Sequence, residues 1–475
     1  MGFRTFNPSQ NSWNPEVYSV TSEEELASKL ADMEASQDLF SQTSPAERAR
    51  FLRLIASEMD LHKSNIQAKY CQESGLSEGR FLVEWKRTLD TLELFAQYLE
   101  THYVFEKIEF LANESIRIRK KRLAIGPVLV MGSSNFPLAY STIGGDSVAA
   151  FAAGCCVLVK AHPMHVGTST HVATCIEKAL ELANLPQGIF THIVDDGITL
   201  AQKIVSDERI QAVGFTGSFR GGKAMMDLAQ QRKCPIPVFA EMGSCNPMIV
   251  FNGLNSNESR NFAEKISQAI CNDAGQFCTK PGLLFIPTGI DGDQFVAQLS
   301  AAVSEKKPVP MLHPSIFENY QRRKKAVMEQ SSVKILVEST TFHGIEGPIT
   351  LAETSLDKFQ ATPYMQEEVF GPFALVIRYT SEEQLKSVLR SLPGQLTASL
   401  IYPLESKEIT SFVQLLCQKA GRLILNGVPT GVRVLEVMHH GGPYPASSDL
   451  RFTAVGPDSI HRFQKDVSIQ EENIA

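Results

Sequence analysis

The chain has 475 residues, enough for about three domains of roughly 150 residues each. Its content of 43% hydrophobic and 20% charged residues is that of an ordinary globular protein, and its net charge of −7 argues against nucleic acid or an anionic membrane as the main partner. There is no apolar run of about 18 residues and no basic-then-apolar leader, so we expect neither a membrane span nor a secretory signal.

Helices are predicted from about residue 22 to residue 99, because apolar residues recur there at three- and four-residue spacing. The segment 44–74 has the pattern of one continuous helix. Ser44, Pro45 and Glu47 form a helix-start signature, with Pro at the first helical position and Glu47 placed for a capping box. Residues 105–125 then alternate nearly at period two, as exposed strands do.

From Ile125 onward, short apolar strands and helical segments alternate, beginning with IGPVLVMG, GGDSVAAFAAG and CCVLVKA. This rhythm predicts an α/β fold with a parallel sheet that carries helices on both faces. A second series of apolar strands follows Pro235, from NPMIVF to GRLILNG, and predicts a second α/β domain.

One cysteine differs from the others in its surroundings. Cys278 lies in NDAGQFCTKPG among small, polar and cationic residues, whereas Cys155 and Cys156 lie in the apolar run AAGCCVLVK. The first setting suits a thiol that is reached and ionised, although a packed cysteine beside a Pro-Gly turn is also consistent with it. The nine cysteines contain no CxxC pair, so neither disulfides nor a metal site is indicated, and a reducing cytoplasm fits best.

Two elements could contact a phosphate-bearing ligand. The glycine turn from Gly214 to Lys223 stands between a predicted strand and a helix, where backbone N–H groups can bind phosphate, although an ordinary turn also uses glycine. Lys160 ends a predicted strand, and ligands gather at the carboxyl ends of strands in such sheets. A strand-end lysine is also a common surface feature.

Two further polar residues interrupt or follow apolar segments. Glu241 lies in PVFAEMGSCNP, where a carboxylate is either paired structurally or acts as a general base. Asn135 directly follows a strand, in GSSNFPLAY, and its amide could stabilise an oxyanion or simply occupy a turn before Pro137.

Together these pieces resemble the aldehyde dehydrogenase superfamily along nearly the whole chain. The matching motifs, in order, are SNFPLAY, AAGCCVLVK, GFTGS, FAEMGSCNP, GQFCTKPG, EEVFGP and LILNGVPTGV. The C-terminal VMHHGGPYPASSD resembles a narrower branch, the 2-oxoglutarate semialdehyde (2,5-dioxopentanoate) dehydrogenases together with a related NADP-dependent long-chain aldehyde dehydrogenase.

The resemblance implies the aldehyde dehydrogenase fold, with a Rossmann-like parallel-sheet cofactor domain, an α/β catalytic domain and a small β oligomerisation element. The expected ranges are 1–104 and 125–241 for NAD(P) binding, 242–441 for catalysis, and 105–124 with 455–475 for the oligomerisation strands. We therefore expect a homodimer or homotetramer.

The resemblance also implies a role for each catalytic candidate. Cys278 attacks the aldehyde carbon and forms a thioester, while the Asn135 amide and the Cys278 N–H bind the oxyanion. Glu241 then activates the water that releases the acid. A thiol with a pKa of about 8.5 is mostly protonated at neutral pH, so the site must lower that pKa, with Lys280 as a candidate helper, or deprotonate the thiol.

The implied cofactor is NAD or NADP. The residues implied to bind it are Ser134, Phe136, Lys160, Gly217, Ser218, Glu368 and Phe370. Many NAD-preferring relatives have a Glu three residues after the strand-end lysine, and here that position is Pro163. The Thr and Arg that hold the 2′-phosphate in an NADP-specific relative are also missing, with Pro163 and Ile198 in their places, so the coenzyme preference stays open.

The substrate expected from the branch is an aldehyde with a distant carboxylate, which needs a cation at the pocket. Arg87 and Arg451 are the candidates, and a solvated surface arginine is the alternative for each. Three alternative functions remain: oxidation of medium- or long-chain aliphatic aldehydes, a CoA-acylating relative, and a catalytically silent member used for binding. Glu241 argues against the second, and the intact set of catalytic residues argues against the third.

Overall fold

The computed structural model describes residues 2–101, 103, 106–111, 116–330, 332–404 and 409–472. The helices are α1 (Glu23–Ser41), α2 (Pro45–Leu61), α3 (Lys63–Ser74), α4 (Glu78–Thr101), α5 (Gly145–Ala153), α6 (Val166–Ala183), α7 (Thr199–Ser206), α8 (Phe219–Gln230), α9 (Ser256–Cys271), α10 (Ile290–Ser304), α11 (Pro314–Met328), α12 (Leu356–Ala361), α13 (Glu382–Ser391) and α14 (Thr410–Leu416). The strands are β1 (Gly2–Phe3), β2 (Phe6–Asn7), β3 (Ser12–Trp13), β4 (Tyr18–Ser19), β5 (Glu106–Leu111), β6 (Ile116–Ala124), β7 (Val128–Met131), β8 (Val157–Lys160), β9 (Phe190–Ile193), β10 (Ala212–Thr216), β11 (Val238–Glu241), β12 (Met248–Val250), β13 (Leu283–Pro287), β14 (Lys334–Glu338), β15 (Thr350–Ser355), β16 (Phe373–Tyr379), β17 (Gln395–Ile401), β18 (Ala420–Leu425) and β19 (Gln464–Glu472).

The predicted start of α2 is confirmed. The Ser44 hydroxyl accepts a hydrogen bond from the Glu47 N–H, and the Glu47 carboxylate accepts one from the Ser44 N–H, with Pro45 at the first helical position. The prediction of one helix through residue 74 was wrong. His62, with φ −104° and ψ 11°, bonds back to Glu58 and Met59, which ends α2 and starts α3.

Five strands form a parallel sheet in the order β11-β10-β7-β8-β9, as the alternating pattern predicts. Every strand in it is short, and β7 and β8 are buried along their whole length. Such continuous apolar burial is typical of parallel strands covered by helices on both faces. The α/β prediction is therefore confirmed.

A second sheet of seven strands has the order β14-β15-β16-β13-β12-β17-β18. It is parallel except for the pair of β14 and β15. The sequence prediction of a second α/β unit after Pro235 matches this sheet, but it omitted β14 and β15. Strand β14 is largely solvent-facing at the edge of the sheet, so it lacks the apolar run used to predict its neighbours.

A small antiparallel sheet joins distant parts of the chain in the order β19-β6-β5. Strands β5 and β6 lie in the range 105–124, where strands were expected. Of the expected range 455–475, residues 464–472 form β19, whereas Pro457–Phe463 forms a 3-10 helix. Residue 105, residues 112–115 and residues 473–475 of the expected oligomerisation strands lie outside the described residues, as do residues 1, 102 and 104 of the expected cofactor domain.

The ends of the strands position the candidate residues. Lys160 is the last residue of β8 and pairs in register with Met131 of β7, while Glu241 is the last residue of β11 and pairs with Thr216 of β10. Because the strands are parallel, these carboxyl ends share one edge of the sheet, where ligands bind in open α/β folds. None of the described helices is long and apolar enough to cross a membrane.

Candidate active site

Cys278 lies in a sharply bent loop that follows α9. Asp273 and Ala274 have φ angles of 47° and 53°, and Gly275 follows with 64°. Non-glycine residues rarely adopt this left-handed conformation, so the bend stores strain that the surrounding contacts must hold. A Cβ at Gly275 would lie 2.5 Å from the carbonyl oxygen of Gly371, so only glycine lets the loop pack against the EEVFGP segment.

The buried side chain of Asn246 anchors the cysteine itself. Its Nδ2 donates to the carbonyl oxygens of Cys278 at 2.8 Å and Lys280 at 2.9 Å. Its own backbone N–H donates to Oε1 of Gln395 at 3.0 Å. The nucleophile loop is thereby tied to the start of β12 and to β17. Sequence analysis did not single out Asn246, although its place in GSCNP, within a matched motif, was a usable signal.

The loop that carries Asn135 is held from the opposite side by α4. The buried carboxylate of Glu84 accepts hydrogen bonds from the N–H groups of Leu138 and Ala139, both at 2.9 Å. Asn135 itself donates from Nδ2 to the carbonyl oxygen of Gln276 at 2.8 Å, two residues before Cys278. This bond joins the two loops and leaves the second N–H of the amide available for another acceptor.

Glu241 and Cys278 come together with a residue that sequence analysis missed, His440. Its Nε2 lies 3.0 Å from Oε2 of Glu241 and 3.8 Å from Sγ of Cys278. The segment around residues 440–448 runs along the end of β11. Just after that strand, the Met242 N–H donates to the backbone carbonyl oxygen of Ala446 at 2.8 Å. The VMHHGGPYPASSD motif therefore brings an imidazole into the site, and the adjacent histidines in it were the available signal.

The electrostatic setting of Cys278 opposes its ionisation. Burial raises the pKa of its thiol well above the usual range, and the Glu241 carboxylate raises that pKa further. The Arg87 guanidinium acts in the opposite direction. The sequence-based suggestion that Lys280 lowers this pKa finds no support, because the Lys280 ammonium donates to the Phe373 carbonyl oxygen at 2.7 Å and its charge acts on Glu368.

Of the two arginines predicted to bind substrate, only Arg87 lies at this site. Its guanidinium donates to the Tyr140 hydroxyl at 2.7 Å, and Cζ lies 4.9 Å from the centre of the Tyr140 ring. Arg451 instead pairs with Asp449, and its side chain is 76% exposed. The described contacts of the Arg451 guanidinium are to Asp449 and Phe452, and they include none of the catalytic candidates.

A second arginine at the site was not predicted. Burial lowers the pKa of Arg422, while the charges of Cys278 and Tyr140 raise it. Its Nη2 donates to the Pro429 carbonyl oxygen, but its buried Nε has no hydrogen-bond partner. An unsatisfied buried donor on a cation that interacts with the thiol is what an anionic ligand group would complete.

One wall of the site is aromatic. Phe136 makes edge-to-face contacts with Tyr140 and Phe277, with ring centres 5.2 Å and 5.7 Å apart. Phe136, one of the predicted cofactor residues, therefore lies in this wall, and the Arg80 guanidinium carbon lies 4.5 Å from its ring centre. Ser134, next to Asn135, is half-buried.

The cofactor candidates on the first sheet have suitable surroundings. Ser218 caps α8, and its hydroxyl accepts a hydrogen bond from the Gly221 N–H at 3.2 Å. The Gly217 N–H donates to the backbone carbonyl oxygen of Glu241 at 3.0 Å. A helix start is a site for a pyrophosphate. The ammonium of Lys160 lies 3.9 Å from Oδ2 of Asp195, a buried oxygen with no hydrogen-bond partner that a ribose hydroxyl could satisfy.

Glu368 faces the same region from the second sheet. Burial raises the pKa of its carboxyl, while the charge of Lys280 lowers it. A Cβ at Gly243 would lie 2.2 Å from Oε2 of Glu368, so this glycine, two residues after Glu241, leaves room for the Glu368 carboxylate. Phe370 lies two residues beyond it and is half-buried. A nicotinamide dinucleotide fits these three features. They are the unpartnered oxygen of Asp195 for a ribose hydroxyl, the start of α8 for the pyrophosphate, and the Glu368 carboxylate for the second ribose.

The chain matches the model of the aldehyde dehydrogenase family over residues 2–444. It is 38% identical over 446 residues to the alpha-ketoglutaric semialdehyde dehydrogenase of Acinetobacter baylyi, and the matched region covers 91% of this chain and 83% of that protein. It is 35% identical over 479 residues to alpha-ketoglutaric semialdehyde dehydrogenase 2 of Azospirillum brasilense, covering 98% and 91% of the two chains.

Among solved structures, the methylmalonate-semialdehyde dehydrogenase of Oceanimonas doudoroffii superposes with a TM-score of 0.85 at 18% identity, covering 100% of this chain and 96% of that one. This likeness confirms the predicted fold. The chain therefore belongs to the aldehyde dehydrogenase family and is an oxidoreductase that acts on aldehydes with a nicotinamide cofactor.

Proposed function

We propose that the protein oxidises an aldehyde with a distant carboxylate, 2,5-dioxopentanoate, to 2-oxoglutarate through a thioester on Cys278. One observation carries this proposal: the Cys278 sulfur, a carboxylate oxygen of Glu241 and a ring nitrogen of His440 all lie within 4.8 Å of one another. The charge of the Arg87 guanidinium acts on the same thiol. The relatives from Acinetobacter baylyi and Azospirillum brasilense, which are named for a substrate of this kind, support it.

Acylation starts at the sulfur. The Cys278 thiolate adds to the aldehyde carbon, and the developing oxyanion accepts hydrogen bonds from the free N–H of Asn135 and from the Cys278 backbone. Two such donors held in place before the reaction contribute strongly, since removing one typically costs about a hundredfold or more in rate. Glu84, which holds the loop around Asn135, and Asn246, which holds the Cys278 carbonyl, keep these donors in position.

The thiol must lose its proton before attack, because burial holds it in the neutral form. The Glu241 carboxylate, already close to the sulfur and to His440, accepts this proton directly or through water. In the second half-reaction Glu241 takes a proton from the water that attacks the thioester carbonyl. The His440 imidazole lies against the Glu241 carboxylate, with Nε2 3.0 Å from Oε2, and limits the movement of this carboxylate between the two tasks.

The nicotinamide, when bound, supplies the hydride acceptor. Lys160 would hold the adenosine ribose, and Gly217 with Ser218 would hold the pyrophosphate at the start of α8. Glu368 and Phe370 would hold the nicotinamide ribose, with Ser134 and Phe136 on the opposite loop. The Phe136 ring also belongs to the aromatic wall beside Tyr140, so it would separate the cofactor from the substrate tail.

We propose NAD as the preferred coenzyme. The ammonium of Lys160 lies at the end of β8, where the adenosine ribose would bind, and its charge is already balanced by the Asp195 carboxylate 3.9 Å away. Asp196 adds a second negative charge that acts on the same lysine. The negative charge of a 2′-phosphate would be repelled by these two carboxylates, whereas a 2′-hydroxyl could donate a hydrogen bond to the unpartnered Oδ2 of Asp195.

Arg87 and Arg422 are the proposed carboxylate-binding pair. The charge of Arg87 lowers the pKa of Cys278, and the charge of Cys278 raises the pKa of Arg422, so both guanidiniums are within electrostatic reach of the thiol. The Nε of Arg422 is an unused buried donor, and the Tyr140 hydroxyl positions Arg87. Arg451 is left out because Asp449 engages its guanidinium in solvent.

The second candidate is oxidation of medium- or long-chain aliphatic aldehydes, and the aromatic wall of Phe136, Tyr140 and Phe277 favours it. The two functions differ in their need for a cation. We expect Arg87→Ala and Arg422→Ala each to raise KM for 2,5-dioxopentanoate at least tenfold and to change KM for decanal little. Arg451→Ala serves as the control and should leave the ratio of kcat/KM values unchanged. Equal losses on both substrates would favour the aliphatic function.

For the assembly we propose a homo-oligomer formed through the sheet of β5, β6 and β19. Ile108 and Leu123 are exposed on it at 58% and 42%. The division into a cofactor domain, a catalytic domain and this element is proposed on the ranges given above, and size-exclusion chromatography with light scattering tests the assembly.

A further inference from the structure

Three donor atoms of different chemistry surround one point of the active site. They are Sγ of Cys278, a ring nitrogen of His440 and a carboxylate oxygen of Glu241, and they all lie within 4.8 Å of one another. Thiolate, imidazole and carboxylate are the three ligand types that proteins use for Zn²⁺. Three protein ligands with a fourth position left to water is also the arrangement of open zinc sites.

The two separations that involve His440 match a tetrahedral ion. Bond lengths of about 2.3 Å to sulfur and about 2.0 Å to nitrogen and oxygen put tetrahedral ligands about 3.5 Å apart for sulfur and nitrogen and about 3.3 Å apart for nitrogen and oxygen. The corresponding separations here are 3.8 Å for Cys278 and His440, and 3.0 Å for His440 and Glu241. Each of these two separations lies within about 0.3 Å of the tetrahedral value.

A second observation points to a cation. Oε2 of Glu241 is buried and has no hydrogen-bond partner, although Nε2 of His440 lies 3.0 Å away. Glu241 is 5% exposed and His440 is 1% exposed, so water does little to satisfy this oxygen. A buried carboxylate oxygen without a donor is costly, and a bound cation would remove that cost.

We propose that Cys278, His440 and Glu241 form a Zn²⁺ site that reversibly inhibits the enzyme. The inhibitory part rests on the proposed function, since it needs Cys278 as nucleophile and Glu241 as base, whereas metal binding does not. Binding exchanges the thiol proton, which passes to solvent, for a sulfur–zinc bond, and no group is oxidised or reduced. The zinc-bound sulfur cannot attack an aldehyde, and the bound carboxylate cannot activate water.

The site is expected to be reversible. Nδ1 of His440 is buried without an acceptor, so the imidazole lacks the outer hydrogen bond that orients most zinc-binding histidines. A chelator should therefore empty the site. Because the thiol must lose its proton, Zn²⁺ should bind more tightly as pH rises.

The test measures binding and inhibition separately on chelator-treated protein. Calorimetry in two buffers should find one Zn²⁺ per chain with release of a proton, and Co²⁺ should give a thiolate-to-metal charge-transfer absorption. We expect Cys278→Ser to abolish that absorption, and His440→Ala and Glu241→Gln each to weaken Zn²⁺ binding at least tenfold. Cys234→Ser, at an exposed cysteine, should bind like the unchanged protein.

The unchanged protein provides a test that needs no variant. Zn²⁺ should slow alkylation of Cys278 by iodoacetamide at least tenfold, and EDTA should restore the rate. Zinc affinity unaltered in all three ligand variants, or an active enzyme whose alkylation Zn²⁺ does not slow, would overturn the proposal. Protein that binds Zn²⁺ as expected yet oxidises no aldehyde would instead refute the proposed function and leave the metal site standing.

Discussion

The imidazole Nε2 of His440 lies 3.0 Å from the carboxylate Oε2 of Glu241, and the same nitrogen lies 3.8 Å from the sulfur of Cys278. The base and the nucleophile of the proposed mechanism therefore share one neighbour, which comes from a segment 162 residues after the cysteine. The three buried or half-buried groups form a single unit, so a change in one should alter the behaviour of the others.

The first prediction concerns His440 as a positioning residue. His440→Ala should lower kcat about tenfold or more, because Glu241 loses the group that orients it. The pH dependence of kcat should shift as well, which a purely structural loss would not cause. His439→Ala, at the adjacent half-buried histidine, is the control. Similar kinetics for the two variants would show that His440 has no special role.

The second prediction concerns the pKa of Cys278, which burial and then Glu241 raise. The rate of alkylation by iodoacetamide should rise with pH into the alkaline range, because only the thiolate reacts. Glu241→Gln removes a negative charge and should move the midpoint to lower pH, while Arg87→Ala removes a positive charge and should move it to higher pH. Glu305→Gln, at an exposed carboxylate, should leave it in place. Shifts of the same sign in both test variants would contradict these assignments.

The third prediction concerns the anchor of the nucleophile loop. Asn246 is fully buried, and its φ of 49° is one that glycine adopts freely, so Asn246→Gly removes the hydrogen bonds without straining the backbone. The carbonyl oxygens of Cys278 and Lys280 would lose their donor. We expect a loss of about 3 kcal/mol in the free energy of unfolding, measured with urea, together with a lower kcat. Asn257→Gly, at an exposed position of α9, should not lower kcat.

The fourth prediction concerns coenzyme choice. The chain should use NAD with a higher kcat/KM than NADP, because the Asp195 carboxylate balances Lys160 and repels a 2′-phosphate. Asp195→Asn should reduce the NAD preference at least tenfold, mainly through a lower KM for NADP. Asp38→Asn, at an exposed position of α1, should leave the ratio unchanged. A preference for NADP in the unchanged enzyme would refute this account of the adenosine end.

Sequence patterns predicted the buried elements well, because a parallel strand covered on both faces needs a continuous apolar run. Strands such as β7 and β8, which ends at Lys160, were visible for this reason. Strand β11, which ends at Glu241, was not predicted as a strand, and its first two residues are only partly buried. Strand β14 was missed because its side chains largely face solvent, and the break at His62 was missed because apolar spacing continues through it.

The candidate site could be predicted only where a motif carried it. Cys278, Glu241 and Asn135 were named from their motifs and lie together, joined through Gln276 and His440. His440 was missed although the paired histidines of VMHHGG were a usable signal, and Arg422 was missed because nothing local to its segment connects it with the thiol. Arg451 was named from its neighbourhood in sequence, and in the fold it turns to Asp449 instead.

The covalent role of Cys278 is the central claim, and trapping the thioester tests it most directly. Glu241→Gln removes the base of the hydrolysis step and also lowers the pKa of the Cys278 thiol, so at alkaline pH acylation can proceed while hydrolysis is blocked. Mixing this variant at alkaline pH with aldehyde and NAD or NADP should give a burst of about one reduced coenzyme per chain. Acid quenching and mass spectrometry should then find one acyl group on Cys278, and none in a Cys278→Ser control. An acyl group on another residue, or a burst without any acylated cysteine, would contradict the account.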